Sequence, residues 1–321
     1  MSLPVLSRVL LAVATAVFVG AASAGAPLAK IQAPGYYRMM VGDFEVTAVS
    51  DGTVGLQPTQ LLTNTTKKKV ETALGRSFLT EPVETSVNAY VVNTGSKLVM
   101  IDAGSGSLFG PTLGGLVTNL RAAGYQPEQI DEIYITHMHA DHVGGLAADG
   151  KTVFPNAVVR ADQHDADYWL SQKNLDAAPE DAKGFFKGAM ASINPYAAAG
   201  RFKPFDGDTE LVPGIKAVSA YGHTKGHTVY MVESQGRKLL LWGDLMHVAA
   251  VQFADPSVTI RFDTDSKAAL AQRRKVFADA AKRGYWVAGA HLAFPGIGHL
   301  RSEGRGYVFV PANYSSGTTA K

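Results

Sequence analysis

The stretch Ile133-Tyr134-Ile135-Thr136-His137-Met138-His139-Ala140-Asp141-His142-Val143-Gly144-Gly145 limits what this chain can fold into more than any other. Its first four residues are apolar or β-branched and predict a short buried strand, and the glycine pair predicts a turn soon after. Between them stand three histidines and an aspartate within six positions. Imidazole nitrogens and carboxylate oxygens together suit zinc and similar divalent ions. On an extended loop His137 and His139 point the same way and can grip one ion. Asp141 and His142 fall on the next turn and can grip a second.

Three later stretches end predicted strands with a further donor: Tyr221-Gly222-His223-Thr224-Lys225-Gly226-His227, Leu241-Trp242-Gly243-Asp244 and Gly289-Ala290-His291. Two ions that also bind water need about seven protein ligands. The candidates are His137, His139, Asp141, His142, His223, Asp244 and His291. Asp102, at the tip of another strand, suits a group that orients a ligand. The sequence contains no cysteine, so neither a disulfide nor a thiolate takes part.

Around these motifs the pattern predicts strands over residues 44–50, 86–92, 97–101, 157–161, 215–220, 229–233 and 238–242, with a last strand over 286–290. Helices are predicted over 68–78, 113–123, 163–171 and 266–283. Residues 25–42 read as an extended arm, Asp51-Gly52 as a turn that stops a strand, and 174–205 as loops with short helices. Strands and helices mixed along the whole length describe a layered α/β protein without a domain break.

The order His-x-His-x-Asp-His, Gly-His-Thr-x-Gly-His, Gly-Asp, Gly-Ala-His resembles the metallo-β-lactamase superfamily, an αββα sandwich with a binuclear metal site at the edge of its two sheets. Within it the chain is similar to methyl parathion hydrolase and its lactonase and aryl-esterase (dihydrocoumarin hydrolase-like) relatives, through residues 33–38, 154–162 and 294–299. The resemblance implies that His137, His139 and His223 hold one divalent ion, of which zinc is the expected kind. Asp141, His142 and His291 then hold the other, and Asp244 bridges the two. His227 packs or hydrogen-bonds, and His164 and His299 are surface or structural residues. Phe109, Trp169, Phe185, His247, Ile260 and Phe262 are the expected substrate pocket, with Asp244 and His247 at the reacting centre.

Two such ions lower the pKa of a shared water from near 16 to about 7, so hydrolysis needs no covalent intermediate. An aromatic entrance favours flat, apolar substrates. His247 stands where the organophosphate hydrolases carry leucine, Ile260 and Phe262 are bulkier than their counterparts, and the loop before Gly184 is one residue shorter. These departures favour small-molecule lactones and aryl esters, with organophosphate triesters as a side activity. The alternatives are a dedicated organophosphate hydrolase and, from another class, a periplasmic metal-binding protein without turnover.

Arg8, the apolar run 9–20 and Ala22-Ser23-Ala24 describe a secretory signal over residues 1–24. One hydrolase domain over 25–321 would then reside in the periplasm or outside the cell, with no membrane attachment. The net charge is +2 and no basic run exceeds Lys67-Lys68-Lys69, which speaks against a nucleic-acid partner. The resemblance implies a homodimer.

Overall fold

Leu239, Leu240 and Leu241 are consecutive in a strand, and all three are buried. Successive strand residues point to opposite faces, so the sheet that holds them must be covered on both sides. The same holds in the other half of the chain for Val99, Met100 and Ile101. In the computed structural model, which describes residues 26–317, each of two sheets is covered twice. The expected signal over residues 1–24 lies outside the described residues. Residues 26–33 carry no regular element.

The N-terminal sheet orders its strands as Tyr36–Val41, Phe44–Leu56, Val83–Asn93, Leu98–Ile101, Glu132–Tyr134 and Val158–Arg160. The C-terminal sheet runs Thr209–Val212, Ile215–Ser219, Thr228–Ser234, Arg237–Leu241, Trp286–Ala288, Ile297–Glu303 and Gly306–Pro311. Alternate residues of both meet in the middle: Ala48, Tyr90, Val92 and Ile101 pack against Tyr230, Val232, Leu239 and Leu241. The opposite alternation faces helices. Val91, Met100 and Ile133 pack with Leu120 and Ile193, and Val229, Leu240 and Val287 pack with Phe277 and Ala280. Four layers result, helix, sheet, sheet, helix, which is the expected αββα sandwich.

Strand direction places the chemistry. Leu98–Ile101, Glu132–Tyr134 and Val158–Arg160 are parallel to one another, as are Arg237–Leu241 and Trp286–Ala288. Ile215–Ser219 is antiparallel to Thr228–Ser234, which is antiparallel to Arg237–Leu241, so the first and third run the same way. Asp102, the 136–142 loop, His223, Asp244 and His291 therefore all follow the C-terminal ends of strands, where open α/β sheets present their ligand sites.

The structure corrects four expectations. The strand that should stop at Asp51-Gly52 continues to Leu56, because a bulge between Ser50 and Gly52 absorbs the irregularity without ending the ladder. Tyr36–Val41 is an edge strand within the expected arm. Residues 174–205 contain a sixteen-residue helix, Lys183–Ala198. Its interior Gly188 and Pro195 hide a stripe of Phe186, Ala189, Ile193 and Tyr196 that packs into the core. The strand over 286–288 is followed by a hairpin, Ile297–Glu303 with Gly306–Pro311, which alternates too weakly to read. The helix Ser266–Arg283 has its expected bounds, with Asp265 capping its start and Gly284 left-handed at its end.

Candidate metal centre

The strand Glu132–Tyr134 leaves the sheet into Thr136 and His137, and His139 then stands just before the four-residue helix Ala140–Val143. This tight exit turns His137, His139, Asp141 and His142 towards one point. The later strand ends bring His223, Asp244 and His291 to the same point. Ligand atoms of His137, His139, His223 and Asp244 lie within 4.8 Å of one another, as do those of Asp141, His142, Asp244 and His291. Asp244 is shared by both groups. Its Oδ2 lies 3.6 Å from His137 Nε2, 3.3 Å from His223 Nε2 and 3.2 Å from His291 Nε2, and its Oδ1 lies 3.2 Å from His142 Nε2. Asp141 Oδ2 stands 3.5 Å from the Nε2 atoms of both His142 and His291.

The far side of three of the rings is anchored. His142 Nδ1 donates to Asp102 at 2.8 Å, His223 Nδ1 to Asp263 at 2.9 Å, and His291 Nδ1 to the carbonyl of Ser86 at 3.0 Å. Anchoring Nδ1–H leaves the Nε2 lone pair aimed at the centre, the arrangement that orients a metal-ligating histidine. His227 Nε2 accepts the backbone N–H of Asp244 at 3.0 Å, so this histidine holds the shared carboxylate and is not itself among the donors. Asp165, fully buried, takes N–H groups of Met138 and Gly226 and the hydroxyl of Thr224, tying the two histidine loops together.

The electrostatics call for positive charge. Burial pulls His137 and His139 well below the usual histidine range. Burial also acts on His142, but the carboxylates of Asp244, Asp141 and Asp102 outweigh it and carry this imidazole well above that range. For His223 burial is likewise outweighed, by hydrogen bonds to Asp244 and Asp263, and its value rises to about 9. Asp244 resists burial and stays well below the usual carboxylate range because His142, His291, His247 and His137 surround it. His137 Nε2, His142 Nε2 and Asp244 Oδ1 are buried with no hydrogen-bond partner among the described residues. Such atoms are costly in a protein interior unless something accepts them. A divalent ion in each group meets that need, so the residues fit a binuclear centre.

A narrow cleft opens over these donors, lined by Val54, Leu56, Phe109, Phe185, His247 and Phe262 beside His139, Asp141, Asp244 and His291. Of the six expected pocket residues, Phe109, Phe185, His247 and Phe262 face it. Trp169 stands one layer behind, its ring edge on His139 at 5.3 Å between centroids. Ile260 is fully buried with Leu62, Val70 and Val248. Val54 and Leu56 were not expected, because they lie beyond the Asp51-Gly52 bulge. His247 Nε2 is 3.0 Å from Asp244 Oδ2, its ring stacks on His291, and burial lowers its value to about 4. His164 is half exposed and paired with Asp162, and His299 bonds the carbonyl of Tyr285, both outside the donor groups.

Sequence reasoning missed Asp165, Asp263 and Gln252. Asp165 sits in the first turn of the helix Gln163–Trp169, where an acidic residue needs no further explanation. Asp263 precedes the capping Asp265 and reads as part of the same helix start. Gln252 accepts the N–H groups of His247 and Val248 and carries no sequence signal.

Layers, donor set and cleft together define a metal-dependent hydrolase. The family model described as metallo-beta-lactamase superfamily matches residues 82–286, and the chain belongs to that superfamily. A solved structure of hydrolase AbOPH in the beta lactamase superfamily has a TM-score of 0.85 and 38% identity, covering 89% of this chain and 100% of that one. AidC, a dizinc quorum-quenching lactonase, has a TM-score of 0.81 and 27% identity over 88% of this chain and 99% of its own. An N-acyl homoserine lactonase of Bacillus cereus is 29% identical over 126 residues, 39% of this chain and 42% of that protein. The match thus spans less than half the length of this curated relative.

Proposed function

We propose that the protein hydrolyses lactones and aryl esters, using two zinc ions held by His137, His139 and His223 on one side and Asp141, His142 and His291 on the other, with Asp244 shared. When bound, the ions supply Lewis acidity and bring the pKa of water to about 7. The chain does the rest. Asp102, Asp263 and the Ser86 carbonyl orient three of the imidazoles, and His227 fixes Asp244. Val54, Leu56 and Phe109 exclude bulk water, and Phe185 and Phe262 stack on flat apolar groups. His247, its Nε2 3.0 Å from Asp244 Oδ2, places a polar imidazole in the cleft wall beside the reacting centre.

The observation that carries this reading is the narrow apolar cleft directly over the donors, with the imidazole of His247 in its wall. Such a slot suits a planar carbonyl better than a tetrahedral phosphotriester. The dizinc lactonase supports the metal, and both it and the Bacillus lactonase support the lactone. A side-by-side assay of the zinc-loaded enzyme on dihydrocoumarin, an N-acyl homoserine lactone and methyl parathion tests it. The lactones should be favoured, and His247→Leu should shift the ratio towards methyl parathion. A wild-type preference for methyl parathion makes the protein a dedicated organophosphate hydrolase; no turnover of any activated ester makes it a metal-binding protein. We further propose that residues 1–24 direct export to the periplasm or out of the cell, which fractionation of cells and medium after expression of the full chain tests.

A further inference from the structure

One wall of the cleft hangs from a single buried carboxylate. Asp51 is 1% exposed, in the bulge of the strand Phe44–Leu56. Its Oδ2 accepts the backbone N–H of Ser105 at 2.9 Å, the Ser105 hydroxyl at 3.1 Å and the N–H of Gly114 at 3.1 Å, while Oδ1 accepts the N–H of Leu116 at 3.1 Å. These donors come from both ends of one surface loop, residues 105–114, and the start of the helix that follows it. Asp51 supplies its own carbonyl to Gly115 N–H at 2.8 Å, and Thr53 N–H reaches the carbonyl of Thr112. The loop tip behaves differently. Leu108 and Phe109 are 44% and 40% exposed, and Phe109 lines the cleft.

We propose that Asp51 is a positioning residue that closes the base of the 105–114 loop and so sets Phe109 against the acyl chain of the substrate. A carboxylate with four donors on it holds both stems at a fixed separation, and charge-assisted bonds of this kind are the stronger class. The tip is left to adapt to the substrate, while the stem is set by the protein. Its near stem also packs tightly on the donor loop: a Cβ on Gly144 would come within 2.1 Å of the Ser105 carbonyl. The clamp therefore governs binding of the apolar portion without furnishing a ligand to the metals.

The inference rests on the proposed ester hydrolysis, and its test separates the two. Asp51→Asn keeps the size but replaces one acceptor oxygen by an amide that opposes the N–H donors. With p-nitrophenyl esters of increasing acyl length, KM for the decanoyl ester should rise about tenfold, the scale set by loss of one aromatic contact. The acetyl ester should keep its KM, kcat should stay within about twofold, and bound zinc should be unchanged by elemental analysis. Phe109→Ala should likewise raise KM for the decanoyl ester. Hydrogen exchange should accelerate at Ser105, Gly114 and Leu116 but not across residues 136–145, independently of activity. Equal loss on all chain lengths together with zinc loss, or unaltered exchange, overturns the clamp. Turnover absent from the wild type overturns the ester reading instead, while the exchange result still judges the clamp.

Discussion

The two halves of the metal centre are built by different means. His137, His139, Asp141 and His142 share one loop, and their mutual geometry follows from one strand exit and one turn of helix. His223, Asp244 and His291 come from three strand ends, and nothing local relates them. Their meeting depends on ladder register: Ser219 opposite Thr228, Leu241 opposite Tyr230, and Leu241 beside Ala288. A slip of one residue in any of these ladders would turn its strand's side chains to the opposite face. The local half is thus specified by the chain, and the dispersed half by the completed C-terminal sheet.

Asp244 serves both donor groups, so its loss should reach both halves at once. Asp244→Ala should lower kcat/KM about a thousandfold, or ~4 kcal/mol of transition-state stabilisation. Divalent metal per chain, measured by elemental analysis, should fall below two. Retention of both ions would mean that the local loop suffices to hold them. A smaller effect comes from Asp165, the joint between the halves, whose carboxyl burial pushes up from 3.8 to about 6 even though three hydrogen bonds oppose the shift. The folded protein then holds a proton that the unfolded chain releases between pH ~4 and ~6. This group's contribution is present in full below that window, falls by up to about 3 kcal/mol as pH rises through it, and is level above. Urea unfolding of wild type and Asp165→Asn from pH 4 to 7 should show the wild type losing ground to the variant. A difference independent of pH would remove Asp165 from the account.

The same division explains what could be read in advance. The local half announces itself as His137-x-His139-x-Asp141-His142, since donors close in sequence are close in space whatever the fold. The dispersed donors were found through their short motifs at predicted strand ends, and sheet direction then explains why those ends coincide. What escaped was whatever depends on packing between elements. The helix Lys183–Ala198 was hidden by its own Gly188 and Pro195, residues that a helix tolerates here because its apolar stripe is buried. Val54 and Leu56 reach the cleft only because the strand survives a bulge that reads as a stop. Asp263 contacts His223 from forty residues away, with no pattern connecting them.

Those anchoring carboxylates give the finest test of the two halves. Asp102 holds His142, in the local half, and takes the N–H and hydroxyl of Thr136 at 2.7 and 2.8 Å. Asp263 holds His223, in the dispersed half. Loss of such a partner typically costs about 10–100-fold in metal affinity, or ~1.4–2.8 kcal/mol. Since His142 and His223 belong to different donor groups, Asp102→Ala should weaken the ion among Asp141, His142 and His291, and Asp263→Ala the ion among His137, His139 and His223. Stepwise cobalt titration followed by visible absorption should show a different binding step displaced in each variant. Asp102→Ala should have the larger effect, because it also releases Thr136 and with it the exit of the strand that carries four donors. If both variants displaced the same step equally, the two donor groups would act as one unit and the division between local and dispersed halves would have no energetic content.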